Sequence, residues 1–127
     1  MSPTPRLLLA DDDPDFVKML ETALQKESWK LETTSQGTVA LEMVKKGGYD
    51  LILLDILMPD LNGITLLKNL QSEPLKPTNG PIIMLTALSE DEFVQSCLEL
   101  GATGYINKAT TPLPDLINQI KSFLAPK

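Results

Sequence analysis

The chain has 127 residues, of which 43% are hydrophobic and 22% charged, and a net charge of −6. That fits one domain of soluble, globular composition, and its acidity opposes direct binding to a nucleic-acid backbone. The lone cysteine, Cys97, excludes an internal disulfide, and the absence of histidine excludes Ser-His-Asp and Cys-His sites, a His-ligated metal and a phosphohistidine carrier.

Met1–Pro5 lacks the basic-then-apolar layout of a signal peptide, and no apolar run is long enough to span a bilayer. A cytoplasmic, reducing location without membrane contact is expected. Arg6–Ala10 reads as a buried strand that stops at an acidic cluster. Asp13 as N-cap and Pro14 at the first helical position open a helix with Phe16, Val17, Leu20 and Leu24 on one face. Trp29–Thr34 alternates as a strand, with Trp29 expected at the sheet edge. Thr38–Lys46 is predicted helical, with Val39, Leu41, Met43 and Val44 around its apolar side and Gly47-Gly48 as its stop.

Leu51–Leu54 is a second wholly apolar strand, ending at Asp55, and Asn62–Ser72 a helix with Ile64, Leu66, Leu67 and Leu70 inward. Glu73–Pro81, with three prolines and a glycine, is a loop. Ile82–Leu85 is a buried strand ending at Thr86. Ser89 and Glu92 form a capping box for a helix that turns Phe93, Val94, Cys97 and Leu98 inward and closes at Gly101. Gly104–Asn107 is a short last strand and Pro112–Leu124 a last helix. The chain therefore reads as one domain over residues 1–127, strand and helix alternating five times. Apolar strands separated by helices imply a parallel sheet covered on both faces, and right-handed crossovers bring the strand ends to one rim.

On that rim function is expected. Asp11, Asp12 and Asp13 follow the first strand, Asp55 the third, Thr86 the fourth and Lys108 the fifth. Carboxylates gathered so closely repel one another unless a cation joins them. A hard divalent ion, Mg²⁺, suits a few carboxylates plus phosphate oxygens. Asp55 could then act as a nucleophile toward phosphorus, with Lys108 and Thr86 binding the oxygens of the transferred group.

Leu7–Pro14, Asp50–Gly63 (with Asp55, Met58-Pro59 and Gly63), Pro81–Ala87 and Gly101–Lys108 together resemble the receiver domains of two-component response regulators, over essentially the whole chain. The resemblance implies a flavodoxin-like (βα)5 fold with strand order 2-1-3-4-5. It implies Asp55 as phospho-acceptor, Asp11, Asp12, Asp55 and the Leu57 backbone carbonyl as Mg²⁺ ligands, and Lys108 as the phosphate's partner. Thr86 and Tyr105 would form a switch pair that reshapes the surface of the fourth helix, fifth strand and fifth helix. The implied donor is a sensor histidine kinase or phosphotransfer protein, and an effector domain, a downstream protein or a second copy would meet the switched surface. Such a domain assists its own phosphorylation and dephosphorylation without a separate substrate.

Two departures carry expectations. Ala109 follows Lys108 where the family often has proline, so the local backbone is expected to differ. Leu57 and Leu88, two residues beyond Asp55 and Thr86, cannot orient a water, which implies a long-lived phosphorylated state. Ordinary structural roles explain the remaining residues: Asp13 caps a helix, Asp50 and Asp60 sit in turns, Met19, Met43, Met58 and Met84 pack, and Cys97 is inert. Rival readings meet obstacles. A calcium-binding helix-loop-helix beginning at Asp11 needs glycine and glutamate where Phe16 and Thr22 stand. A haloacid-dehalogenase phosphatase expects threonine or valine at Asp15. A flavin binder of the same architecture needs a Ser/Thr/Gly-rich phosphate loop where the acidic cluster lies. A degenerate receiver used only for docking is opposed by the presence of every motif residue.

Overall fold

The computed structural model describes residues 4–72, 78–87 and 91–124, with backbone alone at 91 and 92. The capping box at Ser89, the position of Leu88 and most of the Glu73–Pro81 loop lie outside the described residues. Five strands and five helices alternate: β1 Arg6–Ala10, α1 Pro14–Leu24, β2 Lys30–Thr34, α2 Gly37–Lys46, β3 Leu51–Asp55, α3 Gly63–Gln71, β4 Ile82–Thr86, α4 Asp91–Glu99, β5 Gly104–Asn107 and α5 Leu113–Leu124. All pairings are parallel, in the order β2-β1-β3-β4-β5. No helix among the described residues is long and apolar enough to cross a membrane.

Successive strand side chains point to opposite faces, and this divides the core in two. Leu8, Ala10, Ile52, Leu54 and Met84 pack with Ala40 and Val44 of α2, Leu66, Leu67 and Leu70 of α3, and Cys97 of α4. Leu7, Leu9, Leu51, Leu53, Ile83, Leu85 and Ile106 pack with Phe16, Leu20 and Leu24 of α1 and Leu116 and Ile120 of α5. Each fully buried leucine or isoleucine is worth about 1.5–3 kcal/mol relative to exposure, so the two faces together fix the strand register.

α1 begins as its sequence dictates: the Asp13 carboxylate accepts from the amides of Asp15 (3.0 Å) and Phe16 (3.3 Å), and Pro14 fills the first helical position. Two inward assignments need correction. Val39 of α2 is 42% exposed and Leu98 of α4 is 37% exposed. Ala40 and Val44, four residues apart, form the buried stripe of α2, and Val39 lies outside it. Smaller differences occur at element ends: β2 starts at Lys30, α2 at Gly37 and α5 at Leu113.

Candidate functional site

The alternation that builds the core also builds the site. Asp11 lies two residues beyond Leu9, Asp55 two beyond Leu53, and Lys108 two beyond Ile106. All three continue the stripes that face α1 and α5. Thr86 lies two residues beyond Met84, on the other face. Asp11, Asp55 and Thr86 are the buried polar side chains among the described residues. Asp12 is exposed, and beside Asp11 it forms one wall of a cleft of about 680 Å³ that Pro14, Val17, Thr33 and Thr34 also line.

The Lys108 ammonium donates to Asp11 Oδ2 at 2.7 Å and reaches Asp55 Oδ2 at 3.5 Å. It also lies 4.8 Å from the centre of the Phe16 ring, a contact that sequence reasoning missed because Phe16 read as core alone. The Leu57 amide donates to Asp55 Oδ1 at 3.3 Å, and the Asp13 amide to Asp11 Oδ1 at 2.9 Å. One carboxylate oxygen from each of Asp11, Asp12 and Asp55 lies within 4.8 Å of the others.

Burial first, and then the neighbouring Asp11 charge, push the Asp55 carboxyl up to about 7 against the opposing pull of Lys108 and the Leu57 amide. Burial by itself would lower the Lys108 ammonium. The hydrogen bond to Asp11 and the charges of Asp55 and Asp11 outweigh it and leave the group raised, so Lys108 stays charged. Two buried carboxylates thus share one ammonium. Three hard oxygen donors with an unneutralised charge fit a divalent ion such as Mg²⁺.

The backbone after Lys108 keeps the lysine aimed inward without proline. No cis peptide occurs among the described residues. The Asn107 carboxamide oxygen accepts from the amides of Ala109 (2.8 Å) and Thr110 (3.2 Å), and the Lys108 amide donates to the Thr86 carbonyl at 2.7 Å. An Asx turn therefore shapes this corner. Tyr105 pairs in register with Met84, one step along the sheet from Thr86, and its side chain is 48% exposed. The expected switch partners share a sheet face, with Tyr105 turned outward.

Comparisons with known proteins show the family. Residues 7–121 match the family described as the response regulator receiver domain. The chain belongs to that family. It is similar to a transcriptional regulatory protein CpxR homolog of Haemophilus influenzae, 41% identical over 121 residues, which cover 94% of this chain and 50% of the relative. It is also similar to the DNA-binding response regulator MtrA of Mycolicibacterium smegmatis, at 34% identity with 94% and 50% coverage. The receiver domain thus spans about half the length of these curated relatives. Among solved structures, the BeF3-activated receiver domain of Klebsiella pneumoniae RstA superposes with a TM-score of 0.79 at 30% identity, covering 95% of this chain and 99% of that one. A CheY-like receiver from Methanospirillum hungatei gives 0.81 at 28% identity, with 96% and 94% coverage. The chain is a receiver domain of the two-component response-regulator type, with the alternating fold read from its sequence and the strand order that the family resemblance implied.

Proposed function

We propose that this receiver accepts a phosphoryl group on Asp55 from the phosphohistidine of a sensor histidine kinase or phosphotransfer protein. The observation that carries this reading is the buried Asp55 carboxylate at the carboxyl end of the central strand β3, which shares the Lys108 ammonium with Asp11. Asp11, Asp12, Asp55 and the Leu57 carbonyl would hold Mg²⁺, which when bound supplies charge neutralisation for the carboxylates and for phosphoryl oxygens. Asp55 forms the new oxygen–phosphorus bond as the donor's nitrogen–phosphorus bond breaks, and the leaving imidazole takes its proton from solvent. Lys108 and Thr86 bind the oxygens of the transferred group.

The phosphoryl group carries roughly −1.5 to −2 charge at a buried rim, in place of the single charge of the Asp55 carboxylate. Thr86 moves toward it, Tyr105 swings in from its exposed position, and the α4–β5–α5 surface changes population, which needs a coupling of about 1–3 kcal/mol. That surface would then engage an effector domain, a downstream protein or a second copy. The chain's net charge of −6 argues against its contacting nucleic acid itself. The setting for this exchange is the cytoplasm, and the domain assists its own dephosphorylation. Leu57, 52% exposed and apolar, offers no hydrogen bond to an attacking water and favours a long-lived phosphoaspartate.

Intact mass after incubation with Mg²⁺ and acetyl phosphate tests the reading. One hydroxylamine-labile phosphoryl group is expected on the wild type and none on Asp55→Asn. No adduct at any Mg²⁺ concentration would overturn it in favour of a docking module. Loss of the phosphoryl group within seconds would overturn the long-lived state.

A further inference from the structure

Asp60 looks in the sequence like a turn residue, yet its carboxylate reaches the start of α2. Oδ1 accepts from the Gly37 amide at 2.8 Å, and Oδ2 accepts from the Thr38 amide at 3.0 Å and the Thr38 hydroxyl at 2.7 Å. Helix α2 lacks such support of its own: Gln36, its N-cap, makes no side-chain capping bond, and first-turn amides have no partners inside a helix. The approach is close. A Cβ on Gly37 would collide with the Leu61 carbonyl oxygen and lie 2.8 Å from Leu61 Cβ.

Three hydrogen bonds thus join α2 to residues 56–62, the segment leading from Asp55 to α3. The rest of that segment is held as well. The Gly63 amide donates to the Ile56 carbonyl at 2.7 Å, Asn62 caps α3 through the Thr65 amide at 2.8 Å, and Met58 is buried. Leu57, whose amide donates to Asp55 Oδ1, lies three residues before Asp60. Among the described residues, Asp60 makes the hydrogen bonds from this segment to the start of α2, beside the close packing of Leu61 on Gly37.

We propose that Asp60 is a positioning residue for the acceptor site: by clamping residues 56–62 onto the start of α2, it sets how tightly the site holds a divalent cation and how fast Asp55 takes up phosphoryl. This rests on the reading of Asp55 and its Mg²⁺ site given above. A segment already held in place loses less freedom when a cation is bound, so the clamp favours binding. Coupling between sites is reciprocal, so a bound cation tightens the clamp in turn. A simple helix cap has no such response.

The experiment uses wild type, Asp60→Ala, Asp60→Asn and Thr38→Val, with Ile120→Val as a core-destabilised reference remote from the site. Mg²⁺ affinity is measured by calorimetry, phosphoryl uptake from acetyl phosphate by mass, and exchange of the Gly37 and Thr38 amides by NMR with and without Mg²⁺. Asp60→Ala should weaken Mg²⁺ binding about 3- to 10-fold, at or below the lower end of the roughly 10- to 100-fold range for groups bonded directly to metal ligands, because Asp60 acts through the segment that carries Leu57. Asp60→Asn, which keeps one acceptor oxygen, should weaken it less, and Ile120→Val should bind as wild type does. Mg²⁺ should slow exchange at residues 37 and 38 in wild type and lose that effect in Asp60→Ala. Should Asp60→Ala not fold, Asp60→Asn and Thr38→Val carry the same comparison. Wild-type affinity and uptake in the clamp variants, with only a lowered melting temperature, would make Asp60 a helix cap and overturn the inference while leaving Asp55 as acceptor. A wild type that neither binds Mg²⁺ nor takes up phosphoryl would overturn the acceptor reading and this inference together.

Discussion

Charged clusters occur near both ends of the sheet, and they differ in how well they satisfy themselves. Near the amino-terminal end, Arg6 pairs with Glu32 at 2.8 Å, the Tyr49 hydroxyl donates to the same carboxylate at 2.9 Å, and the guanidinium lies 4.7 Å from the Tyr49 ring centre. The Arg6 hydrogen bond, working against burial and helped by Tyr49, holds the Glu32 carboxyl below its ordinary range. At the carboxyl end, two buried carboxylates compete for Lys108 and Asp55 is driven up to about 7. The residue types are similar. What separates the clusters is burial and the count of opposite charges: one end is closed and structural, the other leaves one buried carboxylate without a full counter-charge.

The largest change should come from removing the shared ammonium. Lys108→Met leaves Asp11 and Asp55 without it, and urea unfolding in chelator at pH 8 should register a loss of about 3 kcal/mol, the low end for a buried pair. At pH 5 the loss should shrink, because Asp55 then takes up a proton. A loss equal at the two pH values would mean that the rim is not electrostatically stressed.

Asp55→Asn should act in the opposite direction, because it removes one of the repelling charges and keeps an acceptor for the Leu57 amide. A metal-free gain of roughly 1–2 kcal/mol at pH 8 is expected. Since the folded carboxyl titrates near 7 and the unfolded one near its ordinary value of 3.8, the folded state holds the extra proton between those limits. Stability contributed by Asp55 therefore falls as pH rises from about 4 to about 7 and levels above that range. Thermal melts in chelator across this range should show that slope in wild type and lack it in Asp55→Asn.

The smallest effect belongs to the closed end. Tyr49→Phe removes one hydrogen bond from a carboxylate that Arg6 still pairs, so a loss of about 1 kcal/mol is expected. Phosphoryl uptake by this variant should match wild type. A change in uptake would show that the two ends of the sheet are coupled after all.

Much of this was legible beforehand. Strand and helix alternation, the apolar runs Leu7–Leu9 and Leu51–Leu54, and the Asp13-Pro14 helix start are local signals, and local physics decides them. The clustering at the rim was legible for the same reason: Asp11, Asp55, Thr86 and Lys108 each stand at a strand end, and a parallel sheet with right-handed crossovers must bring those ends together. Helix faces were less secure, as Val39 and Leu98 illustrate, because neighbouring apolar residues on α2 and α4 compete for a narrow buried stripe.

By itself, then, the sequence determined the order of elements, the parallel sheet and the family of rim residues, because strand periodicity and crossover handedness act along the chain. The tertiary structure alone decided which carboxylate holds Lys108 most closely, that an Asx turn at Asn107 shapes the corner after it, and that Asp60 caps a helix begun 23 residues earlier. These are contacts across space between groups whose partners are set by packing. Their distances and burial, which govern charge interactions, come into being only when the chain has folded.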